Sequence, residues 1–88
     1  MEYRICDTEK RHWYRILMDY DHAKMVALSD RIGADNRFVF YAYYSRSDIG
    51  VGVISVYVAK DSPLKNETNE YIKDALLSHC SAVLGECN

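Results

Sequence analysis

The segment Arg37–Ala59 constrains this chain more than any other, because its turn chemistry sets which way a row of tyrosines points. Two β-prone runs, RFVFYAYYS and VGVISVYVA, flank Asp48-Ile49-Gly50. The tripeptide reads as a three-residue hairpin loop, a type I turn followed by glycine in the left-handed region. That loop sets Ser47 opposite Val51. Counting outward puts Phe40 opposite Val58, Ala42 opposite Val56 and Tyr44 opposite Ile54. One face then carries Phe38, Phe40, Ala42, Tyr44, Ile54, Val56 and Val58, a good core. The other carries Val39, Tyr41, Tyr43, Val53, Ser55 and Tyr57. Side chains alternate along a strand, so a slip of one residue exchanges these two sets.

Tyrosine is the unusual residue: 8 of 88, against one Trp and two Phe. It is an aromatic body that keeps a wet hydroxyl, which suits a surface meeting a partner. The remainder is ordinary for a single globular domain spanning 1–88, with 49% hydrophobic and 27% charged residues, 4 Gly and 1 Pro. Net charge is −2, from 11 basic and 13 acidic residues, which argues against general affinity for phosphate backbones. The carboxylates are scattered, so the chain does not read as a DNA mimic. Lys10, Arg11 and Arg15 lie close together and read as a solvated stretch. No apolar run follows the first residues, and none approaches the ~20 needed to span a bilayer. Three cysteines, an odd number without a CxxC pair, read as reduced thiols. These features lead us to expect a cytoplasmic protein with no membrane contact.

Residues 2–6 suit a short strand. Residues 12–20 fit two templates: a strand with His12, Tyr14, Ile16, Met18 and Tyr20 on one face, or a helix with Trp13, Ile16, Leu17 and Tyr20 in a stripe. The density of β-prone residues favours the strand, with Trp13, Arg15, Leu17 and Asp19 on its other face. Residues 22–32 read as a helix capped by Asp21, with Met25, Leu28 and Ile32 inward and Gly33 as a left-handed stop. A second helix starts at Pro63 behind a Ser62 cap, or later at Asn66, and ends before Gly85. Its inward stripe is Leu64, Tyr71, Ile72, Ala75, Leu76, His79 and Val83; Glu86-Cys87-Asn88 reads as frayed. The expected fold is α+β: an antiparallel sheet of three or four strands with two helices packed on one face, in (β)βαββα order, plait-like.

Metal and cofactor chemistry find little support. Of Cys6, His12, His22, His79, Cys80 and Cys87, only His79 and Cys80 lie close in sequence, and helical neighbours point about 100° apart. Asp19, Asp21 and His22 form the densest polar cluster, a candidate general base with two carboxylates. The chain holds no nucleophile beside them and no glycine-rich phosphate loop, so a non-enzymatic role is expected, with no cofactor and no metal. Aromatics on a sheet face also stack bases in RNA-recognition modules. However, residues 37–43 lack the glycines of that signature, and the net charge has the wrong sign. The favoured reading is a protein-binding module, an inhibitor or immunity-type antagonist of the phage or mobile-element kind, contacting its partner through Tyr41, Tyr43, Tyr57 and Ser55, with Arg46 and Lys60 at the margins. Single-stranded RNA binding is the runner-up, and a homodimer through the same face fits equally well.

Overall fold

The computed structural model describes residues 2–86; Cys87 and the end of the expected frayed tail lie outside them. Four strands, β1 (Tyr3–Asp7), β2 (Trp13–Asp19), β3 (Phe38–Arg46) and β4 (Val51–Val58), form one antiparallel sheet in the order β1-β2-β4-β3. Helix α1 (His22–Gly33) follows β2, and α2 (Asn69–Leu84) follows β4 after a short 3-10 turn at Pro63–Asn66. The order ββαββα and the antiparallel sheet are as expected. Among the described residues no helix is long and apolar enough to cross a membrane.

Residues 13–19 are a strand because alternation serves burial better there than a helical stripe would. Tyr14, Ile16 and Met18 are buried on one side and join Tyr3, Ile54, Val56 and Val58 in the core. Each helix then presents its apolar stripe to that side: Met25, Leu28 and Ile32 from α1, and Ile72, Leu76, Cys80 and Leu84 from α2. The α1 helix lies over β3 and β4, and α2 lies against α1 and β1. Tyr71, placed inward by periodicity, is 55% exposed instead, because the buried stripe of α2 runs through Ile72, Leu76 and His79.

Caps fix the helix starts. The Asp21 carboxylate accepts from the Lys24 amide at 3.1 Å, and Thr68 Oγ1 accepts from the Tyr71 amide at 3.2 Å. Ser62 caps the 3-10 turn rather than α2, so both starts weighed from the sequence are superseded by Thr68. Gly85 ends α2 with φ 80, as expected, whereas Gly33 is helical and Ala34 ends α1 with φ −81. Two buried hydroxyls tie the sheet to α2: Tyr3 Oη donates to the Gly85 carbonyl at 2.9 Å, and Tyr14 Oη donates to Asn69 Oδ1 at 2.7 Å. Tyr14→Phe removes the second bond and keeps the ring, so a loss of about 1 kcal/mol in urea denaturation is expected; an unchanged midpoint would show the bond contributes nothing.

The hairpin differs from its sequence reading in two places. Its loop has four residues, Ser47–Gly50, and Arg46 pairs with Val51. The Ile49 amide donates to the Arg46 carbonyl and the Gly50 amide to the Ser47 carbonyl, while Gly50 takes the expected left-handed φ of 71. Arg46 also grips Asp48 with two hydrogen bonds of 3.1 and 2.9 Å across the turn. In this register Ala42 faces Ser55, Tyr43 faces Ile54 and Tyr44 faces Val53. Beyond Ala42 a bulge intervenes, and Phe40 pairs with Val56 and Phe38 with Val58. Tyr41 is the extra residue. The loop alone would turn both phenylalanines outward; the bulge lets Phe38 and Phe40 return to the core.

Candidate functional site

The helices cover one side of the sheet. The other side follows from strand parity: Trp13, Arg15, Leu17 and Asp19 on β2, and Val51, Val53, Ser55 and Tyr57 on β4 are paired rung by rung. The β3 edge adds Val39, Ala42 and Tyr44, which face Tyr57, Ser55 and Val53. Tyr41 joins them through the bulge, with its ring 5.3 Å from Trp13 and 6.1 Å from Tyr57. Among the described residues no segment lies over this face.

Of the residues expected to form the surface, Tyr41, Tyr57 and Ser55 are brought together on it. Tyr41 is 60% exposed within an aromatic trio with Trp13 and Tyr57, whereas Ser55 is buried between its cross-strand neighbours. Tyr43 is not part of it. Because the register shifts at Tyr41, Tyr43 lies on the helix side, where its ring stands 6.0 Å from Phe40 and 6.2 Å from His22 at the start of α1. Tyr44 takes the place assigned to Tyr43, and Ala42 also changes sides. Arg46 and Lys60 sit at opposite ends of the sheet. Arg46 is held by Asp48, and exposed Lys60 follows β4 beside Arg37 and Asp61.

Trp13 and Leu17 belong to the same surface and were not counted in it from the hairpin alone. The signal was present: alternation along 13–19 already puts both opposite the Tyr14-Ile16-Met18 face. What was missing was the knowledge that β2 lies beside β4.

Trp13 anchors one end. Lys10 Nζ lies 5.4 Å from its ring centre, a cation–π contact. The β1–β2 loop that carries Lys10 is held by Thr8, whose hydroxyl donates to the Trp13 carbonyl at 3.0 Å and accepts from the Lys10 amide at 3.2 Å. His12 completes the turn in the left-handed region, φ 67, an unfavourable conformation for a residue with a side chain. A shallow groove of about 380 Å³ runs between this loop and the aromatic trio, with Arg11 and Lys65 also on its walls.

A second polar cluster was not foreseen. Asp35, after α1, accepts from Arg37 through both carboxylate oxygens, with the shortest contact 2.7 Å, and lies 2.8 Å from His79 Nε2. Arg31 Nε donates to His79 Nδ1 at 3.1 Å. A guanidinium only donates, so Nδ1 carries the lone pair and Nε2–H donates to Asp35. The Arg37 hydrogen bonds hold the Asp35 carboxyl far below the usual carboxylate range, against the opposing effect of burial. Both ring nitrogens of His79 are thus engaged, and no hydroxyl or thiol contacts the ring among the described residues. The cluster binds α1, α2 and the start of β3 together. Asp19, Asp21 and His22 do not converge either: Asp19 accepts from the Glu2 amide, Asp21 caps α1 and His22 faces Tyr43. No three His, Cys, Asp or Glu side chains among the described residues are placed to hold a metal ion. Cys80 is deeply buried, and desolvation pushes its thiol up to about 12, far from a reactive thiolate.

The open sheet face, with its aromatic trio at one end, is the side of the sheet that the helices leave uncovered. No protein-family model, curated protein or solved structure matches this chain.

Proposed function

We propose that this chain is a non-enzymatic protein-binding module, a stoichiometric antagonist of a larger protein, which docks through the open face of its sheet. The observation that carries this reading is the pair of apolar and aromatic patches on the side away from both helices, Trp13, Tyr41 and Tyr57 at one end and Leu17, Val53 and Tyr44 at the other, with exposed Arg15 between them. Tyr41 and Tyr44 are 60% and 52% exposed there. Rigid aromatic side chains of this kind supply large contact area at low entropic cost. They rest on a sheet whose other side is a closed core, so the surface is held in shape before any partner arrives.

The test separates the two neighbouring tyrosines of β3. Tyr41→Ala and Tyr44→Ala should each weaken capture of the protein's partner from host lysate by about 30-fold, about 2 kcal/mol. Melting temperatures should stay within a few degrees. Tyr43→Ala, on the other side of the strand, should leave capture intact. If Tyr43→Ala abolishes capture while Tyr41→Ala and Tyr44→Ala do not, the open face is not the docking surface.

A further inference from the structure

We infer that the partner presents an acidic segment, Asp and Glu side chains interspersed with an apolar anchor, and that this segment seats in the groove beside Trp13. The inference rests on the open face being the docking surface and specifies what lies on one end of it. The groove is lined by Lys10, Arg11, Trp13, Tyr41, Tyr57 and Lys65, and no carboxylate lines it. Among the described residues none of the three cations has an ion-pair partner, whereas Arg37, Arg46 and Lys73 are paired with Asp35, Asp48 and Asp7. Acidic side chains line the hollows beside it, Glu9 with Lys10 and Arg15 in one and Asp7 and Glu9 with Lys10 and Arg11 in another, whereas the charge lining the groove itself is all positive in a chain of net charge −2.

The hydrogen-bonding inventory points the same way. Ammonium, guanidinium and indole N–H groups only donate. Lys10, Arg11 and Lys65 thus offer donors and no acceptor, which favours a ligand rich in acceptors, and carboxylates supply acceptors with the complementary charge. The ring geometry distinguishes a protein from a nucleic-acid strand. The three rings pack on one another at 51–68°, and Lys10 stands over Trp13. Successive bases stack on ring faces presented side by side, whereas these rings are tilted against one another and one of them carries Lys10, a cup suited to a single apolar side chain. The trio forms the floor of a pocket for an apolar side chain, with cations at its rim.

Trp13 is the only tryptophan, so its emission reports on the groove directly. The intact protein is titrated with a short peptide alternating Asp and Glu with Leu and Phe, with the same peptide carrying Asn and Gln instead, and with oligouridylate. A saturable change in Trp13 emission is expected with the acidic peptide, at least ~10-fold tighter than with its amide counterpart and weakened by salt. Lys10→Glu and Arg11→Glu should each weaken it by ~10-fold. Lys24→Glu, the same charge change on α1 away from the groove, should not. Tighter binding of oligouridylate overturns the inference in favour of a nucleic-acid strand. A change in emission with protein concentration alone, accompanied by a doubled mass in light scattering, overturns it in favour of a second copy. Equal binding of the two peptides, or of neither, also overturns it. In those cases capture that still depends on Tyr41 and Tyr44 leaves the open face standing as the docking surface, whereas capture indifferent to both removes that reading too.

Discussion

Gly52→Val is expected to cost about 3 kcal/mol and to leave a chain of this size close to unfolding at 37 °C. Gly52 lies on β4 between Met18 and Ser45, on the side facing α1. A Cβ at this position would stand 2.7 Å from Met25 Sδ, 3.1 Å from Met25 Cε and 3.4 Å from Met18 Cγ. Its backbone is not in the left-handed region, which only Gly50 and Gly85 occupy among the described glycines. The requirement is therefore space rather than conformation. Met25 is fully buried, so its thioether has no solvent gap to retreat into. Gly52→Ala should show the same defect at roughly 1 kcal/mol or more, and shortening the opposing side chain should relieve it. Denaturant midpoints of Gly52→Ala, Met25→Val and the double variant measure this directly, with a favourable coupling of at least ~0.5 kcal/mol expected. Strict additivity would mean that the methionine is not what excludes a side chain at Gly52.

Asp35→Ala is expected to cost about 3 kcal/mol at neutral pH, because it strands Arg37 and leaves His79 Nε2–H without its acceptor. The carboxylate is only 13% exposed, so water replaces these bonds poorly; Arg37, at 43%, recovers part of its hydration, which keeps the cost from being larger. The pH dependence follows from the lowered carboxyl pKa. In the folded chain Asp35 stays ionised to well below its unfolded value of about 3.9. Below that value the unfolded state takes up a proton that the folded state refuses. The stabilisation is thus complete above about pH 4 and is lost as the pH falls toward the folded pKa. The gap between wild type and Asp35→Ala should narrow by about 1–2 kcal/mol between pH 6 and pH 2.5 in urea denaturation. A gap that holds constant over this range would show that the carboxylate gains nothing from Arg37.

The hairpin shows how far local reasoning reaches. Gly50 takes its left-handed turn, the strands on either side form, and Tyr41 and Tyr57 point away from the core. The count of loop residues does not follow from the turn glycine, because Asp48-Ile49-Gly50 accommodates Ser47 as a fourth member once Arg46 grips Asp48. From there Tyr43 and Tyr44 exchange sides. The Asp35–His79–Arg37 cluster was invisible for a different reason: Asp35 and His79 are 44 residues apart, and nothing in the spacing of either announces the other.

Alternation of polar and apolar residues, caps and turn glycines act over a few residues, and they determined by themselves the hairpin and the two helices; that residues 13–19 pair as a strand between β1 and β4, and that one sheet face stays uncovered, was decided by the assembled sheet. The make-up of that face was decided only in the assembled molecule. The four-residue loop favours one alignment of β3, while burial of Phe38 and Phe40 favours another. A bulge at Tyr41 satisfies both, because burying two aromatic rings outweighs one disrupted rung of the ladder. That balance is struck by packing against α1 and α2 in the assembled core, so no local pattern records it. The same assembly brought Trp13 and its cations beside Tyr41 and Tyr57, through the pairing of β2 with β4.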